Sequence, residues 1–327
     1  MMVLCTGLLV GCDKEEEHEP VKPPVEQPDA PDNPITPPST DDIIKTKIGD
    51  LNMIVGSYSW KAIAYGNGKY IAVSSGTYSF DAYSYISTST DGINWTTPIR
   101  VDNVRMTGMT YANGKFVATG DEVSGGVFNM AVSTDGVNWT LKKIADKTLD
   151  VVYGNGKFVA VGYQRAYTST DGINWKYYHF NTEPNRVPND LNGIIYGNGK
   201  FVGVGIWGRA ISSTDGENWT VVQVGDYGWN SVAYGNGKYV AVGIRTSGFD
   251  NYGIFMTSTD GVNWETKTVG SNIYYRIIYS NGKFIAVGSN GYITTSVDSI
   301  TWTTPEQTKD ESGKVVTANF NGVCAMP

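Results

Sequence analysis

Residues 151–178 read VVYGNGKFVAVGYQRAYTSTDGINWKYY. Four short alternating runs are separated here by turn residues, and much of the chain on either side repeats the pattern. Tyr-Gly-Asn-Gly-Lys-Phe/Tyr recurs at Tyr65–Tyr70, Tyr153–Phe158, Tyr196–Phe201 and Tyr234–Tyr239, with Ala112 or Ser280 replacing the first glycine in two further copies. Ser-Thr-Asp-Gly-x-Asn-Trp ends at Trp95, Trp139, Trp175, Trp219 and Trp264, and a decayed sixth copy ends at Trp302. These tryptophans lie 44, 36, 44, 45 and 38 residues apart. A period of about 42 residues suits one four-stranded unit of a repeat architecture.

Asn-Gly between alternating apolar runs signals a two-residue hairpin, because a type I′ turn needs positive φ at both central positions. Val151–Tyr153 and Lys157–Val161 therefore pair as the first two strands, Arg165–Ser169 gives the third, and Asn174-Trp175 starts the fourth. Asp171-Gly172 makes the reversal before the fourth strand, its carboxylate placed to accept from nearby amides. An indole at one place in every unit is expected to pack between neighbouring units, burying roughly 150–250 Å² each.

The second mark resembles the Asp-box, or BNR repeat, of the β-propellers of sialidases, sortilin-type receptors and photosystem assembly factors. The usual pattern is Ser-x-Asp-x-Gly-x-Thr-Trp, whereas here the segment is one residue shorter and carries Asn in place of Thr. The resemblance spans roughly residues 51–327 and implies a β-propeller. It assigns a structural turn role to Asp91, Trp95, Asp135, Trp139, Asp171, Trp175, Asp215, Trp219, Asp260, Trp264, Asp298 and Trp302. It implies little about function, since one fold hosts many sites.

Both ends of the chain bear on closure. Leu51–Trp60 aligns with Trp219–Trp229 and is expected to be a fourth strand ahead of the first full unit, while Phe320–Met326 aligns with Leu191–Gly197 as a first strand. The expected fold is all-β: a propeller of six full four-stranded blades plus a partial seventh closed by both termini, a plain six-bladed ring being the alternative. Closure removes the open sheet edges.

Residues 1–12 read MMVLCTGLLVGC, an apolar run too short to span a bilayer. Leu9-Val-Gly-Cys12 resembles the lipobox of bacterial lipoproteins, which implies a signal peptide over 1–12 and lipidation at Cys12, although the basic residues that usually open such a signal are missing. Residues 13–42 hold ten acidic side chains against two lysines, with eight prolines between Pro20 and Pro38. That composition cannot bury enough apolar surface to order itself, so a disordered acidic linker leads to a propeller over 43–327. An anchored, extracytoplasmic monomer at the outer membrane or cell surface of a Gram-negative bacterium is the expected setting.

The linker accounts for the chain's formal charge of −7 and leaves the remainder nearly neutral, which gives no electrostatic footprint for nucleic acid. Only His18 and His179 are present, so no histidine metal cluster is expected; no metal or cofactor is expected at all. Cys324 is the one cysteine of the expected propeller, read as a small apolar core residue.

In this strand order the connections between strands two and three, and between strand four and the next blade, share one face. They vary and are aromatic. The ligand-binding candidates on them are Tyr78, Phe80, Tyr163, Arg165, Trp207, Arg209, Tyr227, Trp229, Arg245, Tyr252 and Tyr275, an aromatic and arginine-bearing rim suited to a glycan or a protein. A sialidase-like glycoside hydrolase is the second reading. It would need an arginine triad with a Tyr–Glu pair, or two carboxylates about 5–9.5 Å apart. No spacing singles out such a pair among Asp81, Asp121, Glu122, Glu183, Asp190, Asp226 and Asp250, and no catalytic residue is assigned. A scaffold propeller without a ligand is the third reading.

Overall fold

A computed structural model describes residues 36–48, 51–57, 59–76, 82–123, 127–180, 190–247, 250–310 and 312–326. Cys12, most of the linker, Tyr78 and Phe80 lie outside the described residues.

Among the described residues the strands form seven antiparallel sheets, six of four strands and one of three. Blades 1 to 6 span residues 60–102, 105–144, 148–179, 191–223, 228–268 and 274–307. Their inner strands are Trp60–Gly66, Arg105–Ala112, Thr148–Gly154, Leu191–Gly197, Gly228–Gly235 and Tyr274–Ser280. Together with Phe320–Ala325 these strands contact one another in sequence and close a ring. The fold is a seven-bladed β-propeller.

Blade 7 is assembled from both ends of the chain, as expected, but not in the expected order. Leu51–Ser57 is not an outer fourth strand; it lies second, between Phe320–Ala325 and Ile43–Ile48. The physical reason is its run of consecutive apolar residues. Met53, Ile54 and Val55 are completely buried, which suits a strand covered on both faces. The outer strand Glu265–Thr268 shows the alternative, exposed at every position.

The core is divided among the seams between blades. Buried side chains gather into seven clusters, one per seam. Residues on one strand alternate between two of them: Phe116 and Ala118 join blade 1, whereas Val117 joins blade 3. Hence the second strands of blades 3, 4 and 6 are buried throughout after their opening lysine. The six turn tryptophans all sit at such seams, as expected, each packing toward the preceding blade.

The turns follow the same logic in every blade. Asn67, Asn113, Asn155, Asn198, Asn236 and Asn281 all hold φ between 46° and 51°, each followed by a glycine at positive φ. The lysine after that turn reaches the next blade: Lys69, Lys115, Lys157, Lys200 and Lys238 donate from Nζ to the carbonyls of Asp135, Asp171, Asp215, Asp260 and Asp298 at 2.8–3.2 Å. Before the turn, Gly197 makes room for a ring, since a Cβ there would lie 2.2 Å from Tyr234 Cγ. Ser280 takes the equivalent place where the next blade offers Ala325 instead of a tyrosine.

The Ser-Thr-Asp-Gly-x-Asn-Trp turn is held by its Ser, Asp, Gly, Asn and Trp. In blade 1, Asp91 Oδ1 accepts from the N–H groups of Ile93 and Asn94 at 2.8 Å, Oδ2 accepts from Asn94 Nδ2, and Ser89 Oγ accepts from Gly92 N–H. Trp95 Nε1 donates to the Gly92 carbonyl at 3.3 Å. These donors hold Asp91, Asp171, Asp215 and Asp260 far below the usual carboxylate range, the N–H three residues on acting most. Asp135 is held equally low, there chiefly by the Asn138 side-chain amide. Asp298, which has Thr301 in place of Asn, is lowered to about 2, first by the Thr301 N–H.

A carboxylate depressed on folding contributes stability above its unfolded pKa of about 4 and loses it as pH falls through the folded value. Thermal midpoints are therefore expected to fall steeply below pH 4. Burial raises Asp42, Asp150 and Asp190, which acts in the opposite sense. Asp260→Asn isolates one turn: its midpoint should lie below wild type at pH 7, and the gap should narrow progressively as pH falls below 4. An offset independent of pH would contradict the assignment.

The decayed copy carries a local penalty. Ser299 occupies the position held by glycine in the other five turns and adopts φ 67°, which costs a residue with a Cβ roughly 1–2 kcal/mol. Ser299→Gly is expected to stabilise the protein by about 1 kcal/mol in urea titrations.

Candidate functional site

Every inner strand carries a register shift near its start. The ladder skips Lys61 in blade 1, Thr107 and Gly108 in blade 2, and Leu149, Asn192, Asn230 and Tyr275 in blades 3 to 6. In blade 7 it skips Asn321. A bulge bends its strand and re-aims a side chain. Repeated around the ring, it turns Lys61, Thr107, Leu149, Asn192, Asn230, Tyr275 and Asn321 into the lining of a central mouth of about 460 Å³. The mouth lies at the strand starts, on the face of the variable connections.

Several lining groups also tie neighbouring blades together. Thr107 Oγ1 donates to the Thr148 carbonyl at 2.9 Å, Asn192 Nδ2 to that of Trp229 at 2.8 Å, and Asn230 Nδ2 to that of Tyr274 at 2.9 Å. The amide half of the mouth is thus held by the backbone of the next blade.

The other half is cationic. Arg105, Lys61 and Arg276 all line the mouth. Arg105 is buried; its Nε donates to the Gly76 carbonyl at 3.3 Å, and its guanidinium lies 3.7 Å from Asp121, which also faces Lys147. Arg276 Nε donates to the Asn321 carbonyl at 3.0 Å. Lys61 has no hydrogen bond or ion pair among the described residues. Burial first, and then the charges of Arg276 and Arg105, lower its pKa.

One step deeper, Ala62, Gly108, Asp150, Ser231, Arg276 and Gly322 line the channel. Four are small and two are charged. Asp150 Oδ2 accepts from Ile194 N–H and Oδ1 from Val151 N–H, both at 3.0 Å. Burial raises its pKa, while the charge of Arg276 and those two N–H groups pull it down.

Of the described rim candidates, only Tyr275 lines this mouth. Trp229 is completely buried in the seam between blades 4 and 5, so it offers a ligand no surface; its place is set by the inner-strand register rather than by a loop. Arg209 is buried as well. Arg165 turns to its own blade, 2.7 Å from Asp146 and over the Tyr177 ring. Tyr227 is half-buried with its edge against Trp229. Tyr163, Trp207 and Arg245 are exposed and Tyr252 is half-buried, all on strand two-to-three hairpins. Burial pushes the Cys324 thiol up to about 11, consistent with a residue packed beside Trp60 and Tyr70.

The mouth was legible one step beyond the loops. Its lining residue stands four positions before the tyrosine of each Tyr-Gly-Asn-Gly-Lys copy: Lys61 before Tyr65, Asn192 before Tyr196, Tyr275 before Tyr279. Among the described lining residues the one acid is Asp121, two arginines stand beside a lysine, and no glutamate pairs with Tyr275. That set differs from the arginine triad and Tyr–Glu pair a sialidase-like site would need.

No protein-family model matches the chain, and no curated protein matches it. Solved structures do. The chain is similar to YCF48 bound to D1 peptide, with 14% identity, a TM-score of 0.57 and coverage of 85% of this chain and 89% of that one. It is similar to YCF48 from Cyanidioschyzon merolae, with 13% identity, a TM-score of 0.55 and coverage of 83% and 89%. A chain of a nidogen/laminin complex matches with 10% identity, a TM-score of 0.50 and coverage of 81% and 95%. At these identities the likeness is one of fold, and these neighbours include propellers seen with peptide or protein partners.

Proposed function

We propose that this chain is an extracytoplasmic binding protein, anchored through a lipidated Cys12, whose propeller holds an acidic segment of a protein ligand in its central mouth. The observation that carries this reading is Lys61, without a partner among the described residues, beside Arg276, whose only hydrogen bond there is from Nε. Lys61 has no acidic partner among the described residues and is repelled by the neighbouring charges of Arg276 and Arg105, and an incoming carboxylate relieves that repulsion while accepting charge-assisted hydrogen bonds. The amides of Asn192 and Asn230, fixed by the neighbouring blades, suit the backbone of the same segment. Fold neighbours with peptide and protein partners support the ligand class.

The anchor rests on the Leu9-Val-Gly-Cys12 resemblance and on the acidic, proline-bearing stretch that follows it. The same resemblance and tether favour the outer membrane or cell surface. The turns, with their Ser, Asp, Gly and Trp in fixed roles, are read as Asp-boxes shortened by one residue. The test of function presents the full chain, in mild detergent, to a displayed library of random 12-residue peptides and, in parallel, to a glycan array. Enrichment of peptides bearing Asp or Glu supports the reading. Glycan binding without peptide enrichment would replace the protein ligand with a carbohydrate.

A further inference from the structure

Trp207 is the most exposed large apolar side chain among the described residues, at 59%. It also sits in a backbone conformation that a bulky side chain rarely adopts. Trp207 and Gly208 hold φ 55° and 69°, and Arg209 N–H donates to the Ile206 carbonyl at 3.2 Å, which makes a type I′ turn with tryptophan in its first central position. Asparagine and glycine favour that position because their side chains tolerate the left-handed region. Blade 6 shows the favoured version at the equivalent hairpin, with Asn290-Gly291 at φ 54° and 70° and Tyr292 N–H bonded to the Ser289 carbonyl.

The strained turn is held from several sides. Gln223 Nε2 donates to the carbonyls of Trp207 and Gly225, Gly208 N–H donates to Tyr227, and Val224 N–H donates to Gly208. A β-carbon on Gly208 would collide with the Gly225 carbonyl. The molecule thus maintains an unfavourable residue in a rigid turn and leaves its indole in water. Strain kept in place by its surroundings is a mark of ligand clamps, and a rigid exposed indole is a low-entropy anchor.

Its location relates it to the mouth. Ile206 N–H bonds the Asp190 carbonyl, and Asn192 of the mouth is two residues further along that inner strand. With strands about 4.8 Å apart and a rise of about 3.3 Å per residue, the Trp207 backbone stands on the order of 10 Å from that of Asn192. An extended peptide covers that interval in three or four residues, and because Lys61 and Arg276 stand on the opposite half of the mouth from Asn192, an acid held by them lies more than four residues from the residue beside Trp207.

We infer that Trp207 is the apolar anchor of a two-point peptide site: it stacks on a proline or aliphatic side chain of the same segment whose acid, across the mouth, is held by Lys61 and Arg276. This inference rests on the protein-ligand reading above. It is tested with the peptides enriched from the 12-residue library, measured against full-length wild type, Trp207→Asn, Trp207→Tyr and Lys61→Ala.

Trp207→Asn should raise the melting temperature, because it installs the residue the turn favours, yet weaken binding at least tenfold. Trp207→Tyr should retain most of the affinity, and the enriched peptides should carry Pro, Leu, Ile or Val at a recurring spacing of more than four residues from Asp or Glu. Should Lys61→Ala lose binding while Trp207→Asn keeps it, the anchor is wrong and the mouth stands. Equal losses in the Asn and Tyr variants would also overturn the anchor, since stacking does not require an indole in particular. A library yielding no acidic peptides would remove the underlying reading as well.

Discussion

Trp229→Ala is expected to destabilise the protein by about 3–5 kcal/mol in urea or thermal unfolding, the range for emptying a large buried aromatic site. Trp229 is completely enclosed in the seam between blades 4 and 5, among Val204, Val232, Ile254 and Met256, with Tyr227 edge-on at 5.7 Å. Its indole covers Gly243 across the ladder, where a β-carbon would meet Trp229 at 2.8 Å, so neither neighbour can move in to fill the gap. Its Nε1 has no acceptor among the described residues, a buried donor costing about 1–3 kcal/mol. Trp229→Phe should consequently cost far less than Trp229→Ala, because it removes that donor while keeping a ring. Binding per folded molecule should survive both changes, since the Asn192 amide bonds the carbonyl of residue 229 and not its side chain. A loss below about 1 kcal/mol for the alanine variant would mean that the seam collapses freely.

Trp229 also shows where sequence reading reaches its limit. The period of the Tyr-Gly-Asn-Gly-Lys and Ser-Thr-Asp-Gly marks carried the blades, the turn types and the seam position of the six tryptophans, because those depend on local backbone demands repeated many times. A residue at the start of an inner strand looks like loop when only the hairpins are read. One unpaired residue in the ladder decides whether a side chain enters the seam, as Trp60, Trp229 and Tyr274 do, or the mouth, as Lys61, Asn230 and Tyr275 do. That bulge has no composition signature of its own. Aligning the seven inner strands on their tyrosine position does expose it, through the column Lys61, Thr107, Leu149, Asn192, Asn230, Tyr275, Asn321 followed by a column of mostly small residues. The three apolar residues Met53–Val55 likewise mark a strand covered on both faces, which an alignment over glycine and tryptophan alone missed. What no single blade contains is the convergence of Lys61 from blade 1, Arg105 from blade 2 and Arg276 from blade 6, since that depends on ring closure.

Reversing charge at that convergence should have the largest effect on binding. A charge-assisted hydrogen bond to a carboxylate contributes about 1.5–3 kcal/mol, so Lys61→Ala should weaken the enriched acidic peptides roughly 10- to 100-fold. Lys61→Glu, which replaces attraction with repulsion, should leave no measurable binding. Arg276 is a less clean probe, because its Nε holds the Asn321 carbonyl and its charge steadies Asp150 in the channel; removing it leaves that buried carboxylate uncompensated, with a cost in stability as well as affinity. Lys61 makes no such bond among the described residues, and its alanine and glutamate variants should melt at or above the wild-type temperature, since the repulsion from Arg276 and Arg105 goes with the positive charge. The pH dependence supplies the sign. Burial and those two neighbours lower the Lys61 pKa below its ordinary 10.5, and only the ammonium attracts a carboxylate, so affinity should be flat near neutrality and fall as pH rises through that lowered value. Lys61→Arg, which stays charged throughout, should hold its affinity over the alkaline interval where wild type loses it. Identical alkaline profiles for the two proteins would place the peptide's acid somewhere other than on Lys61.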